Sequence, residues 1–395
     1  MRSSTHFVTR VIASAALLAM LAGCSTVKGW FGSKDKEGEK PTDPAELVDF
    51  TASATVAKLW SANAGKGEGR IGLQQVPAVD GGRVYAAAVE GGVRAFDLQS
   101  GKPVWHYKSD LRLSGGPGAA DGLVVVGTLN GQVIALDAST GAEKWTAKVP
   151  NEVIAAPTIG QGLVFVRSND GRVSAFNAED GERRWFWNHD LPNLTVRGNA
   201  PAVLGPGVLF VGNDDGTVSA LATPDGRPLW TQAVGIPEGR TELDRMADVD
   251  GAPVLEGTTL FATSYKQETV AIEGPSGRPM WTRDKGGAGG LGVTSSVVVV
   301  SDPAGTVWAL DKYSGSATWS NTTLARRSLT APTIHGDFAV VGDYDGYLHW
   351  LKLDNGEQAA RERVGGKVLR GKPVVADGIL IVQDVDGGLT AFGFR

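Results

Sequence analysis

Two pairs of acidic residues near the end of the chain have a spacing that could do chemistry: Asp343 and Asp345 in D-Y-D-G, and Asp384 and Asp386 in D-V-D-G. Carboxylates so placed can ligate a hard cation such as calcium through their oxygens. The corresponding stretch at residues 213–216 reads N-D-D-G, however, and an acidic or amide residue before Gly is also the chemistry of a tight hairpin turn. The turn reading covers all three cases and is preferred. Of the five histidines, His6 lies in the leader, while His106, His189, His335 and His349 come from different stretches. The sequence has no H-E-x-x-H, no closely spaced His/Cys cluster and no G-x-S-x-G elbow. It therefore assigns no catalytic residue, no metal ligand and no cofactor, and an enzyme is not expected.

A different chemistry is offered by two segments. HDLPNLTVRGNAP, residues 189–201, sets Leu191, Leu194 and Val196 beside Arg197. GRTELDRMADVDGAP, residues 239–253, carries Asp244, Arg245, Asp248 and Asp250. An Arg among apolar neighbours suits a protein-interface anchor, and a carboxylate pair can orient that Arg or meet a basic partner.

What positions these segments is a repeat. AFDLQSGKPVW, ALDASTGAEKW, AFNAEDGERRW, ALATPDGRPLW, AIEGPSGRPMW and ALDKYSGSATW begin at Ala95, Ala135, Ala175, Ala220, Ala271 and Ala309. Each keeps Ala, Gly and Trp at one set of offsets. Around them lie short runs of β-branched residues, such as LVVVGT at 123–128, broken by Asp-Gly and Asn-Gly turns. Four antiparallel strands per unit describe a propeller blade. Full units start near Pro77, Pro117, Pro157, Pro201, Pro253, Gly292 and Pro332. An eighth starts near Pro373 and ends before any fourth strand, while TVAKLWSA (55–62) holds a lone Trp60 with no unit before it. The expected fold is all-β: an eight-bladed propeller whose N-terminal strand completes the last blade and removes the open edges. In the seventh unit Ala360 stands where Trp would. Most connectors between a blade Trp and the next unit hold 11 or 12 residues, but those after Trp185 and Trp230 hold 15 and 22. All such connectors emerge on one face, so the two enlarged segments are neighbours on a rigid ring, a common way to build a binding surface.

Arg2 and Arg10 flank VIASAALLAM (11–20), an apolar run too short to span a bilayer, and LAGC ends at Cys24. LAGC resembles a bacterial lipobox, which implies cleavage before Cys24, lipidation of its thiol and, with Ser25 following, delivery to the outer membrane. Several acyl chains give stable anchoring where one does not. The domain plan is a signal peptide at 1–23, a lipidated Cys24 with a polar tether to residue 54, and the propeller at 55–395. A tether of that length spans on the order of 30 Å. Without the leader arginines the chain has 36 basic against 43 acidic residues, which argues against nucleic acid as a partner.

The Ala-Gly-Trp motif resembles the tryptophan-docking repeat of quinoprotein propellers. Quinoprotein dehydrogenases, however, stack their quinone on a Cys-Cys pair, and this chain has one cysteine. The lipobox, the tether, eight blades and the pair L-T-V-R-G and E-L-D-R-x-x-D-V-D together resemble the BamB family of outer-membrane assembly lipoproteins. G-D-Y-D-G-Y-L-H-W (342–350) also resembles a family stretch. The resemblance implies a non-enzymatic scaffold at the periplasmic face of the outer membrane. It would bind a periplasmic POTRA domain of the barrel subunit BamA and assist unfolded barrel precursors. By motif, Leu194, Val196 and Arg197 of the first segment and Asp248 and Asp250 of the second would contact BamA, with Val196 where the family commonly has Leu. The other reading is a propeller that holds a small molecule or glycan in its central funnel. It calls for aromatic or polar residues on the first strands, and PAVDGG, PTIGQG, PVLEG, PTIHG and PVVADG are small and bland.

Overall fold

A computed structural model describes residues 42–67, 72–196 and 200–395. They form eight four-stranded antiparallel sheets, each strand paired to its sequence neighbour. The exception closes the ring: Val56–Asn63 pairs with Gly388–Phe394, in the register Trp60 opposite Ala391 and Asn63 opposite Gly388. Every edge that would end the ring is thus used within it. The short inner strands of successive blades abut, including the first (Ala78–Asp80) and the last (Val374–Ala376). Val, Ile, Leu and Phe of the second and third strands fill the space between blades, as in the cluster of Val125, Val133, Val164 and Phe176.

The repeat now has a physical account. On the third strand Ala135 faces Trp145 of the fourth, and the same pairing joins Ala95 to Trp105, Ala175 to Trp185 and Ala309 to Trp319. The small residue leaves room for the large one across the strand pair. Each indole reaches the following blade: Trp145 Nε1 donates to the Ala178 carbonyl at 2.9 Å, and Trp281 Nε1 to that of Lys312 at 2.9 Å. The indole also lies flat on the next blade's turn Gly. At Gly181 (φ +75°) a Cβ would stand 2.6 Å from the Trp145 ring, so Gly is required for both its backbone angle and its bareness. The Ala therefore serves cross-strand packing within its own blade as well as the approach of neighbouring blades.

Blade seven inverts the pair, with Trp350 on the third strand facing Ala360 on the fourth. Its fourth strand would dock on a turn between the last two strands of blade eight. There the two strands come from opposite ends of the chain, and no such turn exists. Residues before Thr55 take the place instead. Ser53 and Ala54 donate backbone N–H bonds to the Ala359 carbonyl at 2.9 and 3.2 Å, and Ala45 N–H bonds to Ala325. Arg327 Nη1 donates to Ala45 O at 3.0 Å, Arg361 Nη2 to Val48 O at 2.6 Å, and the Arg361 guanidinium lies over the Phe50 ring. Residues 45–54, polar enough in sequence to read as tether, thus lie as a strap along blade seven.

The candidate binding site on the enlarged connectors

The two enlarged connectors leave blades three and four on one face. The first begins where His189 stacks on Trp187 and bonds through Nε2 to Asp215 Oδ2 at 2.8 Å. Burial works against the Asp215 carboxylate, but bonds from His189 and Thr217 hold it below the usual range. Beyond this clasp Leu191 and Leu194 are 42% and 41% exposed. Val196 is half-buried, and its N–H donates to Asp248 Oδ1 at 2.8 Å.

The second connector is a built structure. Thr241 caps a single helical turn, Glu242–Arg245, with Asp244 returning the bond in a capping box. Lys266 Nζ, from a hairpin of blade five, donates to the carbonyls of Glu238 (2.8 Å) and Asp244. Met246, Ala247, Asp248 and Val249 are buried, and Val249 N–H and Asp248 O bond to Asn213 and Tyr265 of the flanking blades. Held this way, the turn presents Leu243 at 64% exposure, and the same connector exposes Ile236 at 54%. Large apolar side chains fixed outward by a polar framework are what an interface anchor needs.

Beneath the connectors lies a buried charge cluster. Arg167, on the second strand of blade three, pairs with Asp214 of the N-D-D-G turn, and both are buried. Oxygens of Asp214, Asp248 and Asp250 lie within 4.8 Å of one another. Among the described residues, Asp248 Oδ2 and both oxygens of Asp250 are buried without a hydrogen bond. Burial pushes the Asp248 carboxyl up to about 6, and the charge of Asp214 adds to this. Burial and the neighbouring Asp248 raise Asp250 well above the usual range. The oxygens are of the kind that ligate a hard cation. Arg167 already sets a cation against Asp214, and burial together with the remaining repulsion is what raises the other two carboxyls.

The structure thus brings together Leu194, Val196, Asp248 and Asp250. Asp248 is fully buried, and among the described residues its side chain bonds the Val196 N–H of the first connector, so its geometry is that of a positioning residue. Arg197 and Cys24 lie outside the described residues. Sequence reading missed the exposed Ile236 and Leu243, whose presentation depends on the capped turn, and the Arg167–Asp214 pair. For the pair a signal existed: the second strand of blade three ends in Arg167, where the other blades end in an uncharged residue, Gly127, Gly212 and Gly342 among them.

The acidic turns behave as turns. Asp343 Oδ1 accepts N–H bonds from Asp345 and Tyr347, each at 2.9 Å, and Asp384 Oδ1 accepts from Asp386 and Gly388. Asp343 also binds Arg327 Nε at 2.8 Å and His349 Nε2 at 3.0 Å. Burial opposes its charge, yet these bonds keep the carboxyl below its ordinary value.

A model of the family described as outer membrane protein assembly factor BamB matches residues 44–112 and 89–321. A BamB of Xanthomonas campestris pv. campestris is 66% identical, over 96% of this chain and 97% of its own. The chain belongs to the BamB family. A BamB of Pseudomonas aeruginosa is 42% identical over 96% of this chain and 98% of its own. The crystal structure of BamB from Moraxella catarrhalis superposes with a TM-score of 0.78 at 28% identity, covering 86% of this chain and all of that one. A quinohemoprotein alcohol dehydrogenase from Comamonas testosteroni shares the fold, with a TM-score of 0.68 at 15% identity over 89% of this chain and 79% of its own. BamB and the dehydrogenase have the ring in common.

Proposed function

We propose that this chain is a non-enzymatic scaffold of the outer-membrane protein assembly machinery, held at the periplasmic face by lipid on Cys24. It docks on a periplasmic POTRA domain of BamA through the enlarged connectors, and so assists the folding and insertion of barrel proteins. The observation that carries this reading is the Val196–Asp248 bond. It ties the two connectors into one rigid surface that displays Leu194 and Leu243. The family's role in outer membrane protein assembly supports it. In this surface Leu191, Leu194, Ile236 and Leu243 make the apolar contact and Arg197 supplies the charge. Asp248 sets the position of the first connector through its bond to Val196 rather than touching the partner, and Asp250 lies beside it in the buried cluster.

Binding of the full chain in mild detergent to the purified BamA periplasmic region tests the proposal. Saturable binding that weakens at least tenfold in Leu194→Ser and in Arg197→Ala supports it. Undiminished binding by both variants would move the interface elsewhere, and absence of binding by wild type would remove BamA as the direct partner.

A further inference from the structure

Within each blade the strands alternate in direction, so the turns after the first and third strands lie on the face opposite the enlarged connectors. Two places flank each gap between blades on that face: the last residue of one inner strand, and the residue that follows the next blade's third strand. Between blades five and six these are Glu256 and Lys312, an ion pair at 2.5 Å. Between blades three and four they are Gly160 and Thr223, and Gln161 spans the gap. Its Nε2 donates to the Gly205 carbonyl at 2.8 Å, and its Oε1 accepts from Thr223 Oγ1 at 2.9 Å. Every other gap but one has a side chain at one of these places, as at Ala138, Ala178, Leu353, His335 and Leu98. Between blades four and five both are Gly, Gly205 and Gly274, and Pro206 stands where blade three has Gln161.

At that gap lies a cavity of about 300 Å³. A Cβ on Gly205 would stand 2.9 Å from Leu255 Cδ2 and 3.2 Å from Phe210 Cε2, so a side chain there would intrude on the lining. Phe210 is buried, Val208 and Leu255 are half-buried, and Pro206 and Pro275 are exposed at the rim. Thr258 brings the one side-chain hydroxyl of the lining, and no charged residue lines it. The Gly205 carbonyl is taken by Gln161, the Gly274 carbonyl by Trp230 Nε1 at 2.8 Å, and Gly274 N–H donates to Thr258 O at 2.8 Å. What remains for a ligand is apolar contact and shape. This fold lays flat rings on bare Gly at Gly181, Gly226 and Gly277, each against an indole. Gly205 and Gly274 offer bare main chain beside the Phe210 ring and two Pro rings, surfaces that a flat ring covers well. An apolar cavity of about 150 Å³ holds benzene, so about twice that volume takes one ring and its first attached atoms.

We propose that this interblade cavity binds one uncharged aromatic ring, carried by a free small molecule or by the side chain of an extended peptide. The site lies on the face away from the enlarged connectors and stands whether or not BamA docks there.

The test uses the full chain in mild detergent with 13C-labelled Val and Leu methyls, those of Val208 and Leu255 assigned from their loss in Val208→Ile and Leu255→Ile. Phenol, a neutral capped Gly-Ser-Phe-Ser-Gly peptide and the same peptide with Leu for Phe are titrated separately. Saturable ring-current shifts confined to Val208, Leu255 and their neighbours are expected, with half-saturation on the order of 1 mM. They should weaken at least tenfold in Leu255→Glu and several-fold in Thr258→Glu. Saturation by phenol alone supports the site and names a small molecule; saturation by the Phe peptide supports it and names a side chain. Unmoved Val208 and Leu255 methyls with both ring probes would overturn the proposal. So would equal binding of the Leu peptide, shifts spread over all methyls, or undiminished binding in both Glu variants. If Leu255→Glu fails to fold, Thr258→Glu, at an exposed position, carries the comparison.

Discussion

Asp248 is where the residue scale matters most. Its carboxyl is buried and stands at about 6 in the fold, against about 3.9 in an unfolded chain. The folded state therefore holds the proton more tightly. The stability this contributes is full below pH 4 and is lost as pH rises through 6. Asp248→Asn keeps an acceptor for Val196 N–H and removes the titration. Denaturant unfolding should show the variant gaining on wild type between pH 4 and pH 7, by on the order of 2 kcal/mol. Asp248→Ala removes the acceptor as well, so its binding to the BamA periplasmic region should fall where that of Asp248→Asn does not. Leu243 makes the opposite prediction. At 64% exposure, Leu243→Ser should leave the melting temperature within about a degree of wild type, since exposed substitutions cost little. Its binding to the same BamA region should weaken several-fold.

At the scale of the element, the blade interface rests on one indole and one bare Gly. Trp145→Ala loses the cross-strand partner of Ala135, the bond to Ala178 and the cover on Gly181. A loss of about 3–5 kcal/mol is expected in denaturant unfolding. Gly181→Ala keeps every side chain yet drives a methyl into the indole at a positive φ, so it too should destabilise, by roughly 1–3 kcal/mol. The capped turn at Glu242–Arg245 is fixed differently. It stands on a capping box and on the Lys266 bonds, with no buried residue of its own, which suits it to display rather than to stability.

At the scale of the molecule, closure decides. The strand Val56–Asn63 supplies the outer edge of blade eight, and Trp60 Nε1 bonds to Leu98 of blade one at 2.9 Å. Removing residues 44–63 would expose both the Gly388–Phe394 edge and the flank of blade one. The expected outcome is loss of a single cooperative transition and a concentration-dependent tendency to pair through the open edge, read by denaturant unfolding and light scattering. The strap at 45–54 adds to this closure, because Arg327 and Arg361 reach back to its backbone across the place where a docking Trp is missing.

The sequence by itself determined the ring. Six copies of Ala-Gly-Trp, turns at regular spacing and a stray Trp60 leave few alternatives, because a repeated blade has only one kind of neighbour to pack against. It also marked the enlarged connectors, since length against a strict repeat can be counted. What it left undecided depends on contacts between distant residues. Ala360 reads as a lost Trp until Trp350 is seen across the strand pair, and residues 45–54 read as linker until Arg327, of the connector into blade seven, and Arg361, of its fourth strand, meet their carbonyls. Asp248 reads as a surface charge until its fully buried side chain is found holding Val196. Burial and hydrogen bonding are properties of the assembled ring, and composition along the chain carries only a weak trace of them.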